Sequence, residues 1–304
     1  MRKTDPKTRA RQTWILTLLI AGALFAACTQ ESAPPPEVKK EAPVVEKAPQ
    51  PWAILYAFAQ EGEEVIGSST IVTEKTWAGR KISSGWLIQP VVIASTGIGM
   101  SNAAATTQHI IDTYKPQGII LTGVCGAVDP KLRIGDIVIP DRWVTHDYGF
   151  WGDSGLETDS LPVGRSDTAG FDRMIEIPVD TALARQLGNA ADGIAFRFKK
   201  VGDFLPDVYK GGVGVSGNAF IGSQRKRQSL YKELKARIVD MESAAVVQTA
   251  YAAGIPVVIV RANSDLAGGG SGNAEEEFRQ NFEAAAYNAA LVVKQFLEVR
   301  EGEE

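Results

Sequence analysis

The sequence predicts a single α/β domain in which helices flank a central, mixed and twisted sheet. Short runs of β-branched and apolar residues alternate along the chain with alanine-rich runs of helical periodicity. The strand-like runs are apolar throughout, which is typical of strands buried on both faces. The chain has 304 residues, enough for one large domain or two small ones. No internal repeat or boundary divides residues 52–304, so we expect one domain there.

Each predicted element rests on its own run of residues. Strands are predicted, in chain order, at WAILYAF, QPVVIAST, GIILTG, GDIVIP, GVGVSG, ARIVDM and IPVVIVRANSD. Helices are predicted at MSNAAATTQHIIDTY, around Thr181 to Gly188, and at QRKRQSLYKEL, SAAVVQTAYAAG and AEEEFRQNFEAAAYNAALVVKQFLEV. Lys115-Pro116 ends the first helix and Gly254 ends the fourth, because proline cannot continue a helix and glycine favours its C-terminus.

Residues 1–28 resemble the signal peptide of a bacterial lipoprotein. Basic residues precede an apolar run, Trp14–Ala27, which is shorter than the roughly 20 residues that span a membrane. The run ends at FAAC, which is similar to a lipobox, so Cys28 is expected to be lipidated. Ordinary cleavage before Cys28 and an uncleaved anchor are the alternatives. Thr29, rather than aspartate, follows the cysteine and favours the outer membrane. We therefore expect an exported, periplasmic or cell-surface lipoprotein.

Residues 29–51 are predicted to form a tether that holds the domain away from the membrane. The segment is rich in proline, glutamate, lysine and alanine. Such a composition cannot bury a core and favours a stiff, extended chain.

Composition excludes several classes of function. The net charge is −4 and no long basic stripe is present, so nucleic-acid binding is not expected. Two histidines and one usable cysteine, Cys125, provide no metal-ligand spacing, so we expect neither a metal nor a cofactor. With Cys28 lipidated, Cys125 has no disulfide partner and is predicted to be a small buried residue.

Four polar clusters follow predicted strands, at the ends where ligands bind in α/β sheets. They are TGIG at Thr96–Gly99, GVCGAV after IILT, MES after RIVD, and NSD at Asn263–Asp265. The stretch VDMESAAV also places Asp240 and Glu242 two residues apart in an otherwise apolar run. Four such clusters at one edge of a sheet indicate a candidate binding or catalytic site.

From about Trp52 to Val299 the sequence resembles the nucleoside phosphorylase/nucleosidase superfamily, and within it most resembles the 5'-methylthioadenosine/S-adenosylhomocysteine nucleosidases. The matching stretches are EGEEV, STGIGMSNAA, TGVCGAVDPKLRIGDIVIP, VSGNAFI, VDMESAAV and VVIVRANSD. The resemblance implies hydrolysis of the N-glycosidic bond of a purine nucleoside, without a cofactor. It also implies a homodimer or larger homo-oligomer.

The resemblance assigns the ribose side of the site to four residues. Glu242 would accept hydrogen bonds from the ribose 2'- and 3'-hydroxyls, since a carboxylate can take two donors at once. It could also stabilise positive charge that develops on the ribose. Met241 would pack on the ribose, and Thr96 and Gly97 would lie near the ribose and the water. The alternative for Glu242 is a carboxylate that only favours a helix N-terminus.

On the base side, the resemblance makes Asp265 the general acid that protonates N7 of the leaving purine. Burial at an apolar strand end could raise its pKa enough for this role. Ser264, and Asn263 in addition, could orient it. Phe220 would stack on the base and Ile221 would contact it through backbone groups. The alternatives are a helix N-cap for Asp265 and a core residue for Phe220.

For the attacking water, the resemblance favours Glu64, because it directly precedes Val65 in EGEEV. Glu61 and Glu63 are nearby alternatives, and a solvated turn is the simpler interpretation of those two acids.

Two positions favour water over phosphate as the nucleophile. Hexameric phosphorylases carry an arginine and a serine for phosphate where this chain has Leu121 and Val124. Neither side chain can bind an anion, so a nucleosidase is preferred. A phosphate-dependent phosphorylase and a non-catalytic nucleoside-binding lipoprotein remain the alternatives.

The 5' end of the ligand is less defined. In the nucleosidases an aromatic residue covers the 5'-alkylthio group at the place where this chain has Glu275. A carboxylate is a poor partner for a thioether. The residues that could replace the aromatic are Phe278, Phe282, Phe150 and Trp151.

Overall fold

The computed structural model of the protein describes residues 49–270 and 273–302. The predicted signal peptide with Cys28, and residues 29–48 of the predicted tether, lie outside the described residues. The described residues belong to one compact unit. No helix in the described ranges is both long enough and apolar enough to cross a membrane.

Sixteen strands and six α-helices occur in the described residues, with one short 3₁₀ helix at Ala195–Arg197. The strands are β1 Trp52–Tyr56, β2 Thr70–Trp77, β3 Arg80–Leu87, β4 Gln89–Ser95, β5 Gly118–Ala127, β6 Ile137–Ile139, β7 Arg142–Thr145, β8 Gly149–Gly152, β9 Gly155–Thr158, β10 Leu161–Gly164, β11 Phe171–Met174, β12 Ile177–Pro178, β13 Val208–Lys210, β14 Val213–Ser216, β15 Ala236–Asp240 and β16 Val257–Asp265. The helices are α1 Ala59–Gly67, α2 Met100–Tyr114, α3 Thr181–Ile194, α4 Gln224–Leu234, α5 Ser243–Ala253 and α6 Ala274–Glu301.

Twelve strands form one mixed sheet, with β5 at its centre. The main path through the sheet is β12-β7-β14-β15-β5-β1-β4-β3-β2, and β16 pairs with both β5 and β6. Strand β5 is parallel to β1 and β16 but antiparallel to β15. All ten residues of β5 are buried, as its continuous apolar run predicts. The ends of β5, β15 and β16 therefore lie close together.

Helices cover both faces of this sheet. On β1, Trp52 and Ile54 pack into a core with α3 and α6, whereas Ala53 and Leu55 pack into a second core with α2 and α5. This alternation follows from the two-residue period of a strand. The prediction of an α/β fold with a central mixed sheet flanked by helices is confirmed.

Two local features lie outside the sequence-based expectations. The acids of EGEEV lie on helix α1 and not in a solvated turn, because Val65 packs into the core. The sequence did not predict this helix, because it contains Gly62 and glycine is unfavourable in helix interiors. The structure needs a glycine there, because an added Cβ would lie 2.5 Å from the Tyr56 ring. The segment after β7 forms two hairpins, β8–β9 and β10–β11. Strand β16 extends through Asp265, as the predicted strand IPVVIVRANSD does.

Candidate active site

A cavity of about 570 Å³ lies where the ends of β5, β15 and β16 meet. Three of the four predicted polar clusters line it, through Val124–Gly126, Asp240–Glu242 and Ser264–Asp265. The fourth cluster contributes Ile98. The structure therefore brings together polar groups that are far apart in the sequence, and three of them, Asp240, Glu242 and Asp265, are buried carboxylic acids.

A buried guanidinium lies beneath this cavity. Arg261 on β16 has no exposed surface, and its Nε donates to Oδ2 of Asp240 at 2.8 Å. Its Nη1 lies 3.6 Å from Oε1 of Glu61, and its Nη2 lies 3.5 Å from Oε2 of Glu242. Burial lowers the pKa of Arg261, but these carboxylates together raise it above its ordinary value. We call Arg261, Glu61, Asp240 and Glu242 the arginine cluster. Three acids share one cation, so the cluster holds surplus negative charge when all three are ionised.

Asp240 is the structural member of the arginine cluster. Its Oδ2 accepts from Arg261 and from the Ser243 hydroxyl, and its Oδ1 accepts from the Ser216 hydroxyl. The backbone N–H of Ser243 also donates to Oδ1, at 3.2 Å. A carboxylate with this many donors is held in one orientation. Asp240 thus anchors Arg261 and the start of helix α5.

Glu242 projects from the N-terminus of α5 toward the cavity. Its Oε1 accepts from the backbone N–H of Gly99 at 2.8 Å. The side chain makes no hydrogen bond to the first turn of α5, so capping does not account for its place. Burial is the main cause that raises its pKa to about 7, and the charge of Asp240 adds to it while Arg261 opposes it.

Glu61, in the first turn of α1, is the third acid of the arginine cluster and also lines the cavity. It is 2% exposed. Its Oε1 accepts from the backbone N–H of Val124 at 2.8 Å, and its Oε2 accepts from that of Ala57 at 2.7 Å. Burial raises its pKa, while Arg261 and the backbone donors act in the opposite direction.

The structure corrects the choice of Glu64. Its Oε1 contacts Nζ of Lys294 at 3.3 Å and the Ser68 hydroxyl at 3.2 Å, and it does not line the main cavity. It borders a neighbouring cavity of about 540 Å³ beside α6. Glu61 faces β5 and Glu64 faces α6, although the two acids are only one turn apart on α1. Glu61, and not Glu64, is therefore the acid beside the arginine cluster.

Asp265 occupies the other side of the main cavity, at the end of β16. It is 2% exposed. Its Oδ1 accepts from the backbone N–H of Ala267 at 2.8 Å, and its Oδ2 accepts from the Ser264 hydroxyl at 3.0 Å. Burial raises its pKa to about 6, although both hydrogen bonds lower it. The structure thus places Ser264 where it can orient Asp265, and it leaves the acid able to hold a proton close to neutral pH.

Asn263 does not orient Asp265. Its amide Nδ2 donates to the carbonyl of Arg133 at 3.0 Å, and its Oδ1 accepts from the Cys125 thiol at 3.2 Å. Cys125 is buried, and burial raises the pKa of its thiol well above the usual range. This agrees with a small buried residue rather than a nucleophile.

Aromatic and apolar side chains form the wall above these acids. Phe220 is half exposed and lines the cavity, with the Phe278 ring edge-on to it at 6.1 Å between centroids. Met241 lines the main cavity and, together with Phe220 and Ile221, a small adjoining cavity beside Asp265. The predicted base-side residues Phe220 and Ile221 therefore lie close to Met241, which was predicted to pack on the ribose.

Thr96 and Gly97 are not brought to the main cavity. Thr96 is fully buried, and its hydroxyl donates to the carbonyl of Gly97 at 2.9 Å. Gly97 packs toward Arg80. The next two residues of the loop reach the site instead, Ile98 with its side chain and Gly99 with its N–H. Gly99 has a φ of 95°, a backbone conformation that favours glycine.

Val124 lines the main cavity, whereas Leu121 lies in the core. Glu275 and Phe278 of α6 border the cavity, and Phe282 stacks on Phe58 beside it. By contrast, the exposed rings of Phe150 and Trp151 on β8 do not line it.

Known proteins are similar to this chain along most of its length. A family model described as the phosphorylase superfamily matches residues 51–298. The 5'-methylthioadenosine/S-adenosylhomocysteine nucleosidase of Staphylococcus aureus is 33% identical over 246 residues, covering 79% of this chain and 96% of that protein. The enzyme of the same name from Mycobacterium tuberculosis is 33% identical over 217 residues, covering 69% of this chain and 81% of that protein.

Solved structures also match. The nucleosidase of the same name from Neisseria meningitidis, in complex with methylthio-immucillin-A, has a TM-score of 0.69 at 27% identity and covers 82% of this chain and 99% of that one. Futalosine hydrolase of Helicobacter pylori shares the fold, with a TM-score of 0.68 at 23% identity, covering 82% of this chain and 98% of that one. The chain belongs to the phosphorylase superfamily, and within it to the family of the 5'-methylthioadenosine/S-adenosylhomocysteine nucleosidases.

The raised pKa of Asp265 predicts a stability that depends on pH. A folded pKa of about 6, against an ordinary value of 3.8, means that the folded protein binds the proton more tightly. The stabilisation by protonation is complete below the ordinary pKa and is lost as the pH rises through the folded pKa. Asp265→Asn keeps an acceptor for Ala267 but cannot ionise. Its unfolding free energy should exceed the wild-type value at neutral pH, by at most roughly 3 kcal/mol.

Denaturant titrations of both proteins at about pH 4 and about pH 7.5 measure this difference, which should grow with pH. The exposed Asp172→Asn is a matched control and should show no such trend. Equal differences at both pH values would contradict the prediction.

Proposed function

We propose that the protein hydrolyses the N-glycosidic bond of a purine nucleoside of the 5'-methylthioadenosine or S-adenosylhomocysteine type, releasing the free base and a ribose derivative. The observation that carries the proposal is the pairing, across one cavity, of a buried proton donor, Asp265, with the arginine cluster. The relatives at 33% identity, which are nucleosidases by name, support the same activity.

The roles of the residues follow from this geometry. Asp265 donates its proton to N7 of the purine while the bond between C1' and N9 breaks and its electron pair moves to the base. A water adds to C1' and gives a proton to Glu61, whose carboxylate is a stronger base because burial raises its pKa. The products are the neutral base and a ribose with a hydroxyl at C1'.

The ribose is held and stabilised by Glu242. Its carboxylate faces the cavity and can accept from the two ribose hydroxyls. Positive charge develops on the ribose as the bond breaks, and the surplus negative charge of the arginine cluster stabilises it. Met241 packs beside the sugar, and Phe220 and Ile221 lie on the side of the base.

Water, rather than phosphate, fits the nucleophile's place. Among the described residues that line the cavity, none is lysine or arginine, and Val124 offers only an apolar side chain. Arg261 lies below, already shared by three carboxylates. A phosphate dianion would therefore meet net negative charge, which is unfavourable.

Base release by the full chain in detergent tests the proposal. The substrates are methylthioadenosine, S-adenosylhomocysteine, adenosine, inosine and guanosine, each with and without phosphate. We expect release without phosphate, and a loss of at least about 100-fold in Asp265→Asn because general acid catalysis is removed. Release only with phosphate would identify a phosphorylase. Binding without release from any of them would identify a non-catalytic nucleoside-binding protein.

A second comparison tests which acid activates water. Glu61→Gln should lower kcat by about 100-fold or more, since the amide cannot accept the proton. Glu64→Gln is the matched control on the same helix, and its kcat should stay within about twofold of wild type, because a partly exposed ion pair contributes little. A large loss of kcat in Glu64→Gln alone would reinstate Glu64.

We also propose export and lipidation at Cys28, which rest on the sequence of residues 1–28. Cys28→Ala should move the protein from the membrane fraction to the soluble fraction, because a covalent lipid is the only anchor that we infer. Fractionation of the native host's cells, with immunoblotting, measures the distribution. Membrane association that is unchanged in Cys28→Ala would overturn lipidation as the anchor.

A homo-oligomer is proposed as well, supported by large aromatic side chains that stay exposed on the two hairpins. Phe150, Trp151 and Phe171 are 69%, 74% and 76% exposed. Such side chains are common where protein surfaces meet. The double variant Phe150→Ser/Trp151→Ser should shift the assembly toward monomer in analytical ultracentrifugation. A wild-type protein that is already monomeric would contradict the proposal.

A further inference from the structure

A buried glutamate lies behind the proposed general acid. Glu277, in the first turn of α6, is 8% exposed, whereas its neighbours Glu275 and Glu276 are exposed. Its Oε2 accepts from the backbone N–H of Leu266 at 3.0 Å. Leu266 directly follows Asp265, so this hydrogen bond joins α6 to the chain at the acid itself.

The loop that Glu277 contacts is the loop that orients Asp265. The N–H of Ala267 donates to Oδ1 of Asp265, and Ala267 adopts a φ of 50°, which is unfavourable for a residue with a side chain. A conformation of this kind persists only where neighbouring groups hold it. The hydrogen bond from Leu266 to Glu277 lies one residue away and provides such a restraint.

Two helices hold the rest of this loop. A Cβ added to Gly270 would lie 2.2 Å from Oε1 of Glu277, and one added to Gly269 would lie 1.8 Å from Nη1 of Arg227 on α4. The loop therefore passes between the carboxylate of α6 and the guanidinium of α4 with no room for larger residues. Its position depends on both of these side chains.

We propose that Glu277 is a positioning residue for the general acid, which holds the loop that orients Asp265 and places a second negative charge behind it. The inference rests on the hydrolase function proposed above. The charge of Glu277 disfavours the ionised form of Asp265 and adds to the effect of burial.

Within the part of the chain that the structure describes, Cys125 and Arg227 are the other titratable groups that act on these two acids. Cys125 on β5 faces Asp265, and burial keeps its thiol protonated. Arg227 on α4 faces Glu277 and carries the opposite charge. No other charged side chain in the described residues adds to the shift of Asp265. Changing the charge of Glu277 should therefore change the titration of Asp265.

Two variants separate the charge from the hydrogen bond. Glu277→Gln keeps an acceptor for Leu266 but removes the charge, and Glu277→Ala removes both. Glu276→Gln, one residue away and exposed, is the matched control. The pH dependence of kcat and KM for methylthioadenosine is measured on the full chain in detergent. The carboxyl carbon of Asp265 is titrated separately by NMR on protein with ¹³C-labelled aspartate, and Asp265→Asn assigns the signal.

In Glu277→Gln we expect the carboxyl titration of Asp265, and the alkaline limb of kcat, to move to lower pH by roughly half to one unit. KM should stay within about twofold, because Glu277 does not touch the substrate. Glu277→Ala should in addition lower kcat about tenfold at the pH optimum, since Asp265 loses its orientation. Glu276→Gln should match wild type in every measurement.

An Asp265 titration in Glu277→Gln that matches wild type would overturn the inference and leave Glu277 as a structural residue. The NMR titration does not depend on turnover. If wild type releases no base, the proposed function fails, while the shift of Asp265 still decides whether Glu277 acts on it.

Discussion

The arginine cluster is the interaction on which the site depends. Removing Arg261 from water is costly, and a buried charge of this kind persists only with close partners. Its partners come from three elements, Glu61 from α1, Asp240 from the end of β15 and Glu242 from the start of α5. The guanidinium therefore fixes these elements relative to β16. One cation cannot neutralise three carboxylates. Burial raises the pKa of both Glu61 and Glu242, and the charges of Asp240 and Glu61 raise that of Glu242 further.

This imbalance accounts for the proposed chemistry. A ribosyl group that becomes positive would supply the charge that the arginine cluster lacks, so the site favours the transition state over the neutral substrate. Asp265 meets a different environment across the cavity, where burial and the nearby Glu277 favour the protonated acid. One cavity thus separates a group that holds a proton from a cluster that attracts positive charge. Acid and base roles in a single site arise from such differences in environment.

The sequence predicted those features that depend on strand ends. Glu242, Ser264 and Asp265 follow or end buried strands, and ligands bind at such ends, so their convergence could be expected before the structure was known. The sheet and most helices followed from runs of apolar residues for the same local reason.

Features that depend on tertiary contacts were not predicted. Three acids of α1 are one helical turn or less apart, and only packing against β5 decides that Glu61 faces the cavity. Likewise, the turn at Gly99 decides that its N–H, and not Thr96 or Gly97, reaches Glu242. The role of Arg261 in the site was not predicted, although the arginine is present in the stretch VVIVRANSD. Burying an arginine within an apolar strand is unfavourable unless acids surround it. The arginine in this strand therefore indicated that acidic partners lie nearby.

The surplus negative charge of the arginine cluster can be measured directly. Two nucleoside analogues are compared by calorimetry at neutral pH, one with a protonated nitrogen in the sugar ring and one with a neutral carbon at the same place. We expect the cationic analogue to bind wild type at least about 100-fold more tightly, as transition-state analogues do, and Glu242→Gln to lose most of this advantage. Equal affinity of the two analogues for wild type would contradict it.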